Sequence, residues 1–154
     1  MTVGVALAAI TASGCGGPSA AQKRAKAQLA DYRTCKAKTS RFLAALHDLD
    51  SRLDVGLNVD DYGNRVGDVK VTHDAVAFRQ LPYSCRKKVE VPAEGALGSY
   101  SAANTVWHHC LTKYGDWCFT NDPTTKNLLE ILWNGAHKEI RKAQSGLHRL
   151  AAGA

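Results

Sequence analysis

No stretch of this sequence stays apolar for the roughly 20 residues that a membrane-spanning helix needs. The uncharged run from Val3 to Ile10, VGVALAAI, is only eight residues long. CxxC pairs are missing, which argues against thioredoxin-like redox chemistry and most zinc ribbons. A GxSxG elbow, an HExxH zinc motif and a P-loop are missing as well. Glutamate is scarce: Glu90, Glu94, Glu130 and Glu139 are the only four, and their spacing favours no carboxylate pair. Strand-like alternation as long as the helical stripes is absent, as is a repeat of 20–50 residues. Asp48-Leu49-Asp50-Ser51-Arg52-Leu53 opens like a calcium loop, then puts Arg at the fifth position and Leu where the turn needs Gly. A zinc site from His108, His109, Cys110 and Cys118 would crowd its ligands into adjacent positions. These absences lead to an expectation of no catalytic residues, no metal and no cofactor, hence not an enzyme.

What is present begins at the N-terminus. The run from Val3 to Ile10 has the length of the apolar core of a secretory signal. The small residues Ala12, Ser13 and Gly14 then lead to Cys15. This segment resembles the lipobox of bacterial lipoproteins, in which a signal peptidase cuts before the cysteine and its sulfur carries diacylglycerol, with palmitate a typical chain. Ala12 stands where that family usually has a larger aliphatic residue, and no Lys or Arg precedes the apolar run. A start upstream of Met1 would supply the missing charge. The resemblance implies a signal peptide over residues 1–14, lipid attachment at Cys15, a flexible tether over 15–21 and a folded domain over 22–151. The location it implies is the extracytoplasmic side of the cell membrane, with plain secretion as the alternative. The segment LDVGLNVDDYGNRVGDVKV, Leu53 to Val71, resembles a stretch in small exported helical lipoproteins of the actinobacterial type, a group that brings no activity with it.

The net charge is +6, and 45% of residues are apolar, an ordinary globular composition. The charge is unevenly placed. Residues 22–41 carry Lys23, Arg24, Lys26, Arg33, Lys36, Lys38 and Arg41 against Asp31 alone, a net +6. Residues 48–68 carry six aspartates against Arg52 and Arg65, a net −4. The basic block starts just past the expected anchor, so Lys23, Arg24 and Lys26 are expected to meet anionic headgroups; a solvated helix face is the alternative. Nucleic acid is not an expected partner, because no nucleic-acid motif accompanies the charge.

Setting Cys15 aside leaves Cys35, Cys85, Cys110 and Cys118. An even count in an exported chain points to two disulfides.

Four segments show helical periodicity. The last has Leu129, Trp133, Ala136, Ile140, Ala143, Leu147 and Leu150 at alternating spacings of four and three, one face packed along a seam. Residues 92–114 repeat it with Ala93, Leu97, Tyr100, Asn104, Trp107, Leu111 and Tyr114. Residues 59–80 place Val59, Tyr62, Val66, Val69, His73 and Val76 inward, with Asn58 as a cap. A first helix over 21–49 turns Leu29, Tyr32, Phe42, Leu43, Leu46 and Leu49 inward. Short links imply an all-α, antiparallel up-down-up-down four-helix bundle. In it Cys85 returns to Cys35, and Cys110 pairs locally with Cys118.

His73 and Asn104 interrupt apolar stripes, as a register-fixing polar group or a ligand contact would. Gly63 with Gly67, and Gly95 with Gly98, suggest close helix approach or room for a ligand. Tyr114, Trp117 and Phe119 gather in a loop held by a cysteine, as an interaction patch or as a plug on the bundle end. The expected function is non-enzymatic interaction or binding in the envelope. The alternative is a carrier of an apolar small molecule between the helices. A third class, an enzyme using His108, His109 or Glu94, requires those side chains to converge in one cleft.

Overall fold

The computed structural model describes residues 17–115 and 122–153. Among them the fold is all helical, with no strand. Four long helices carry it: α1 (Ala20–Val55), α2 (Val59–Asp74), α3 (Val91–Tyr114) and α4 (Pro123–Ala152).

Local chemistry sets the ends. Ser19 and Gln22 form a reciprocal capping box at the start of α1, with Ser19 N–H donating to Gln22 Oε1 at 2.8 Å and Gln22 N–H to Ser19 Oγ at 3.2 Å. The helix therefore begins inside the stretch expected to be a tether. It also runs past Leu49 to Val55, and stops where Gly56 takes φ 106°, a conformation that other residues avoid. Asn58 caps α2 by accepting from Asp61 N–H at 2.9 Å. That helix ends at Asp74, short of residue 80. Pro82 holds Leu81 extended at ψ 141°, and a 3-10 turn, Phe78–Gln80, fills the gap. Asp122 caps α4, accepting from Thr124 N–H at 3.0 Å and from the Thr125 hydroxyl at 2.6 Å. The Thr125 bond holds the Asp122 carboxyl below its ordinary range.

The lead into α3 is unusual. A turn, Tyr83–Cys85, passes into a π-helical segment, Arg86–Glu90, before α3 begins. Pro92 explains it. Its ring would collide with the carbonyl four residues back, Lys88, and it has no N–H to offer that oxygen. Widening the coil relieves the collision, and Val91 N–H donates to Arg86 oxygen instead. Gly146 of α4 packs against this site. A Cβ there would lie 2.0 Å from the Lys88 oxygen, so only glycine fits.

The core is one cluster drawn from every helix. Phe42, Leu46, Leu49, Tyr62, Val69, Tyr100, Leu129 and Ile140 are each at most 2% exposed. Each of these positions lies on a stripe read from the sequence. Neighbouring helices meet α1 to α2, α2 to α3, α3 to α4 and α4 to α1. Arg65 approaches Asp48 while His73 approaches Phe42; Gly63 faces Asn104 while His73 faces Glu94.

One end of the assembly joins the early turns of α1, the 75–90 connection and the last turns of α4. Cys35 and Cys85 are disulfide-bonded there, with a Cα–Cα distance of 5.6 Å. Ser84 Oγ donates to Asp31 at 3.1 Å and Lys38 Nζ to Gln80 Oε1 at 2.8 Å. Cys35–Cys85 is the disulfide among the described residues. Cys110 is buried, and its expected partner Cys118 lies outside the described residues.

Candidate functional site

The opposite end joins the end of α1, the start of α2, the end of α3 and the start of α4. Four aromatic residues converge there. Tyr62 is one turn into α2, Tyr100 and Trp107 are two turns apart on α3, and Trp133 is on α4. The Trp107 and Trp133 rings meet edge to face, with centroids 5.5 Å apart and planes at 69°. Tyr62 packs against both, at 5.4 Å from Trp107 and 6.2 Å from Trp133.

Hydrogen bonds lock this group. Trp133 Nε1 donates to the Tyr62 hydroxyl at 3.2 Å, and that hydroxyl donates to the Tyr100 carbonyl at 2.9 Å. The Tyr100 hydroxyl donates to Asp50 Oδ1 at 2.7 Å, and Asp50 Oδ2 lies 2.8 Å from His137 Nδ1. One connected chain thus touches all four helices. Burial pushes both phenols upward, Tyr62 through desolvation and Tyr100 through desolvation and then the Asp50 carboxylate. Both stay neutral donors at ordinary pH.

Trp107 and Trp133 line an open cleft. A lobe of about 360 Å³ is lined by Leu53, Leu57, Trp107 and Trp133, with Asp54, Glu130 and Asn134 at its polar edge. A second lobe of about 280 Å³ shares Trp107, Glu130 and Trp133 and adds Lys126 and Leu129. Volumes of this order suit a small molecule. Leu128 and Ile131, at 42% and 67% exposure, lie on another face of α4 and line neither lobe.

The other residues singled out in the sequence fall elsewhere. His73 touches Phe42 and Phe78 with its ring, at 5.2 and 4.8 Å, and its nitrogens face Asp74 at 2.8 Å and Glu94 at 3.4 Å. Asp74 is held below its ordinary range by Lys70 and then His73. Glu90, beside them in the π-helical segment, is 8% exposed and has its carboxyl pushed up, by desolvation first and by Glu94 second. Arg86 Nε stands 3.4 Å from Glu90 Oε2, an ion pair too poorly aligned to be a hydrogen bond. Asn104 turns a buried Oδ1 towards Gly63, without a hydrogen-bond partner among the described residues.

His108 lines a separate cavity with Val59 and Asp60, while Glu94 lies fourteen residues earlier on α3, about 21 Å along the axis. The catalytic constellation that needed them together does not form. Among the described residues, no three His, Cys, Asp or Glu side chains could share a metal ion. Tyr114 is half exposed at the end of α3, and Trp117 and Phe119 lie outside the described residues, as does Cys15. Lys23, Arg24 and Lys26 are exposed on the first two turns of α1. No described helix is long and apolar enough to cross a membrane.

Sequence reasoning put Tyr62, Trp107 and Trp133 on apolar stripes and read all three as core. The available signal was their level: each lies near the same end of its helix. Asp50 lies one residue past the expected end of the first helix at 49, which hides its place in the hydrogen-bond chain. Comparison with protein families, with curated proteins and with solved structures returned no match for this chain.

Proposed function

We propose that this chain is a lipid-anchored, extracytoplasmic helical domain with a non-enzymatic binding role, and that the Trp107–Trp133 cleft is its binding site. The observation that carries the reading is the cleft itself. Trp107 and Trp133 form part of its wall. Trp133 is fixed by a hydrogen-bond chain that touches four helices and Trp107 packs edge to face on it, and such preorganisation lowers the entropic cost of binding. The Cys35–Cys85 bridge supports an oxidising compartment. The architecture belongs to the same proposal: an up-down-up-down bundle, supported by contacts that descend one helix as they climb its neighbour, with a second bridge between Cys110 and Cys118. Attachment at Cys15 rests on the lipobox resemblance.

The second reading was a carrier with an apolar ligand between the helices. The bundle axis is filled there by Tyr62 and Tyr100, both fully buried. An apolar ligand is therefore assigned to the cleft rather than to the core.

Two measurements test the proposal. The neutral dye N-phenyl-1-naphthylamine should bind, read by its emission and by quenching of the tryptophans. Asn134→Trp should abolish binding without altering the thermal melt, because Asn134 is an exposed residue on the rim. Equal dye binding by both proteins removes the cleft from the reading. Mass spectrometry of protein extracted from host membranes should find diacylglycerol on Cys15, and an unmodified mature N-terminus elsewhere refutes the anchor.

A further inference from the structure

The fold sorts charge by end, more strongly than the sequence alone suggests. Three segments distant in sequence bring cations to the end carrying the Cys35–Cys85 bridge. Lys23, Arg24 and Lys26 lie on α1; Lys87 and Lys88 lie in the connection between α2 and α3; Arg149 lies on the last turn of α4. All are exposed. The carboxylates at this end are engaged locally. Asp74 pairs with Lys70, Glu90 with Arg86 and Glu139 with Lys142, while Asp31 accepts from Ser84 and Glu94 faces His73. Lys23, Arg24, Lys26, Lys87 and Lys88 take part in none of those pairs. The opposite end carries Asp48, Asp50, Asp54, Asp60 and Asp61.

We infer that this basic end is a docking face for an anionic phospholipid surface, with the aromatic cleft at the far end of the helices. The tether at Cys15 rests on the anchored reading; the affinity for anionic lipid does not.

The occupant follows from charge and from the position of Cys15 relative to α1. A flat array of phosphates is the partner that several separated cations can meet at once. Gln28 and Asp31 lie level with Arg149 and Gly153, so the first eight residues of α1 project beyond α4 by about 12 Å. Cys15 precedes Ala20 by five residues, a reach of at most ~18 Å. A lipid on Cys15 would therefore hold the start of α1 within ~18 Å of the bilayer, and contact of the basic turns with the surface brings their charges inside the Debye length of about 8–10 Å. Cations gathered on a folded end add to those on the projecting turns, which distinguishes this face from a basic tail.

The test uses the full chain with Cys15→Ser, disulfide-oxidised, so that no lipid contributes. Vesicles of phosphatidylglycerol and phosphatidylcholine in equal parts should bind it. Pure phosphatidylcholine should not, and added salt should release it. Removing one cation should weaken binding about 5-fold. Lys87→Gln with Lys88→Gln should thus lower affinity about 25-fold, and Lys23→Gln with Lys26→Gln by a similar factor. Arg52→Gln with Lys113→Gln, the same charge change at the opposite end, should leave binding unchanged, with melts recorded for each variant. Equal binding to neutral vesicles overturns the proposal. So does a loss confined to the Lys23 and Lys26 variant, which would mean that the projecting turns act alone. Displacement by millimolar glycerol phosphate would mark a single-headgroup pocket and would equally overturn it. Because the protein carries no lipid, failure here leaves the Cys15 measurement standing, and failure there leaves this one standing.

Discussion

Gly146→Ala is the substitution whose consequence can be worked most fully. A Cβ at position 146 would sit 2.0 Å from the Lys88 oxygen, 2.8 Å from its carbonyl carbon and 3.2 Å from its Cβ. The obstacle is backbone, so no rotamer change removes it. Restoring an ordinary C···O separation of about 3.3 Å requires α4 and the π-helical segment to part by about 1.3 Å. Overpacking of this kind costs about 1–3 kcal/mol. The upper part of that range applies, because the displaced group belongs to a helix pinned by the Cys35–Cys85 bridge. Alanine's better helix propensity offsets about 1 kcal/mol, which leaves a net loss of about 2 kcal/mol. Gly67 and Gly98 supply the control. Both lie within helices with nothing inside 4 Å of a built Cβ, so alanine there should stabilise by about 0.5–1 kcal/mol. Urea unfolding of the oxidised protein measures all three. The reasoning is refuted if Gly146→Ala is as stable as the wild type while Gly67→Ala gains.

Three further outcomes follow from the same geometry. Tyr100→Phe deletes a hydrogen bond to the Asp50 carboxylate and should cost about 1.5–3 kcal/mol; a cycle with Asp50→Ala, read by urea midpoints, should show coupling rather than additivity. The folded Glu90 carboxyl keeps its proton to higher pH than the unfolded one, so stability from this group is present below the ordinary glutamate range near ~4.3 and is lost as pH rises through the raised value. Glu90→Gln should accordingly be more stable than wild type at pH 7 and no different at pH 3, and an equal gain at both pH values would contradict the assignment. Reducing Cys35–Cys85, which closes a separation of 50 residues, should remove about 4 kcal/mol by chain entropy, seen as a lowered urea midpoint in reductant.

Long stripes were legible in the sequence because burial repeats every three or four residues. Leu129, Ala136, Ile140, Ala143 and Leu150 are all buried, as their spacing implied. Pairing of Cys35 with Cys85 was legible from connection length. Gly146 was not: a lone glycine on a helix says nothing about its neighbour, and the neighbour's distortion comes from Pro92, more than fifty residues away. Reading Gly63 with Gly67 and Gly95 with Gly98 as close contacts met a mixed outcome. Gly63 and Gly95 face the side chains of Asn104 and Glu139, while Gly67 and Gly98 face open space. The aromatic cleft escaped notice because Trp107 and Trp133 satisfy the same periodicity as core residues, and periodicity records which face a residue occupies rather than how close it lies to the end of a bundle. The chain from Tyr100 through Asp50 to His137 escaped for a similar reason: it joins residues separated by fifty and eighty-seven positions.

The covalent tie between positions 35 and 85 encloses the second half of α1, all of α2 and the turn that follows. A protease that nicks the backbone once anywhere inside that loop, at the exposed Gly56 for instance, produces two peptides that still migrate together until a thiol is added. In a compartment shared with proteases, such a break would leave a nicked protein with its helices still in place.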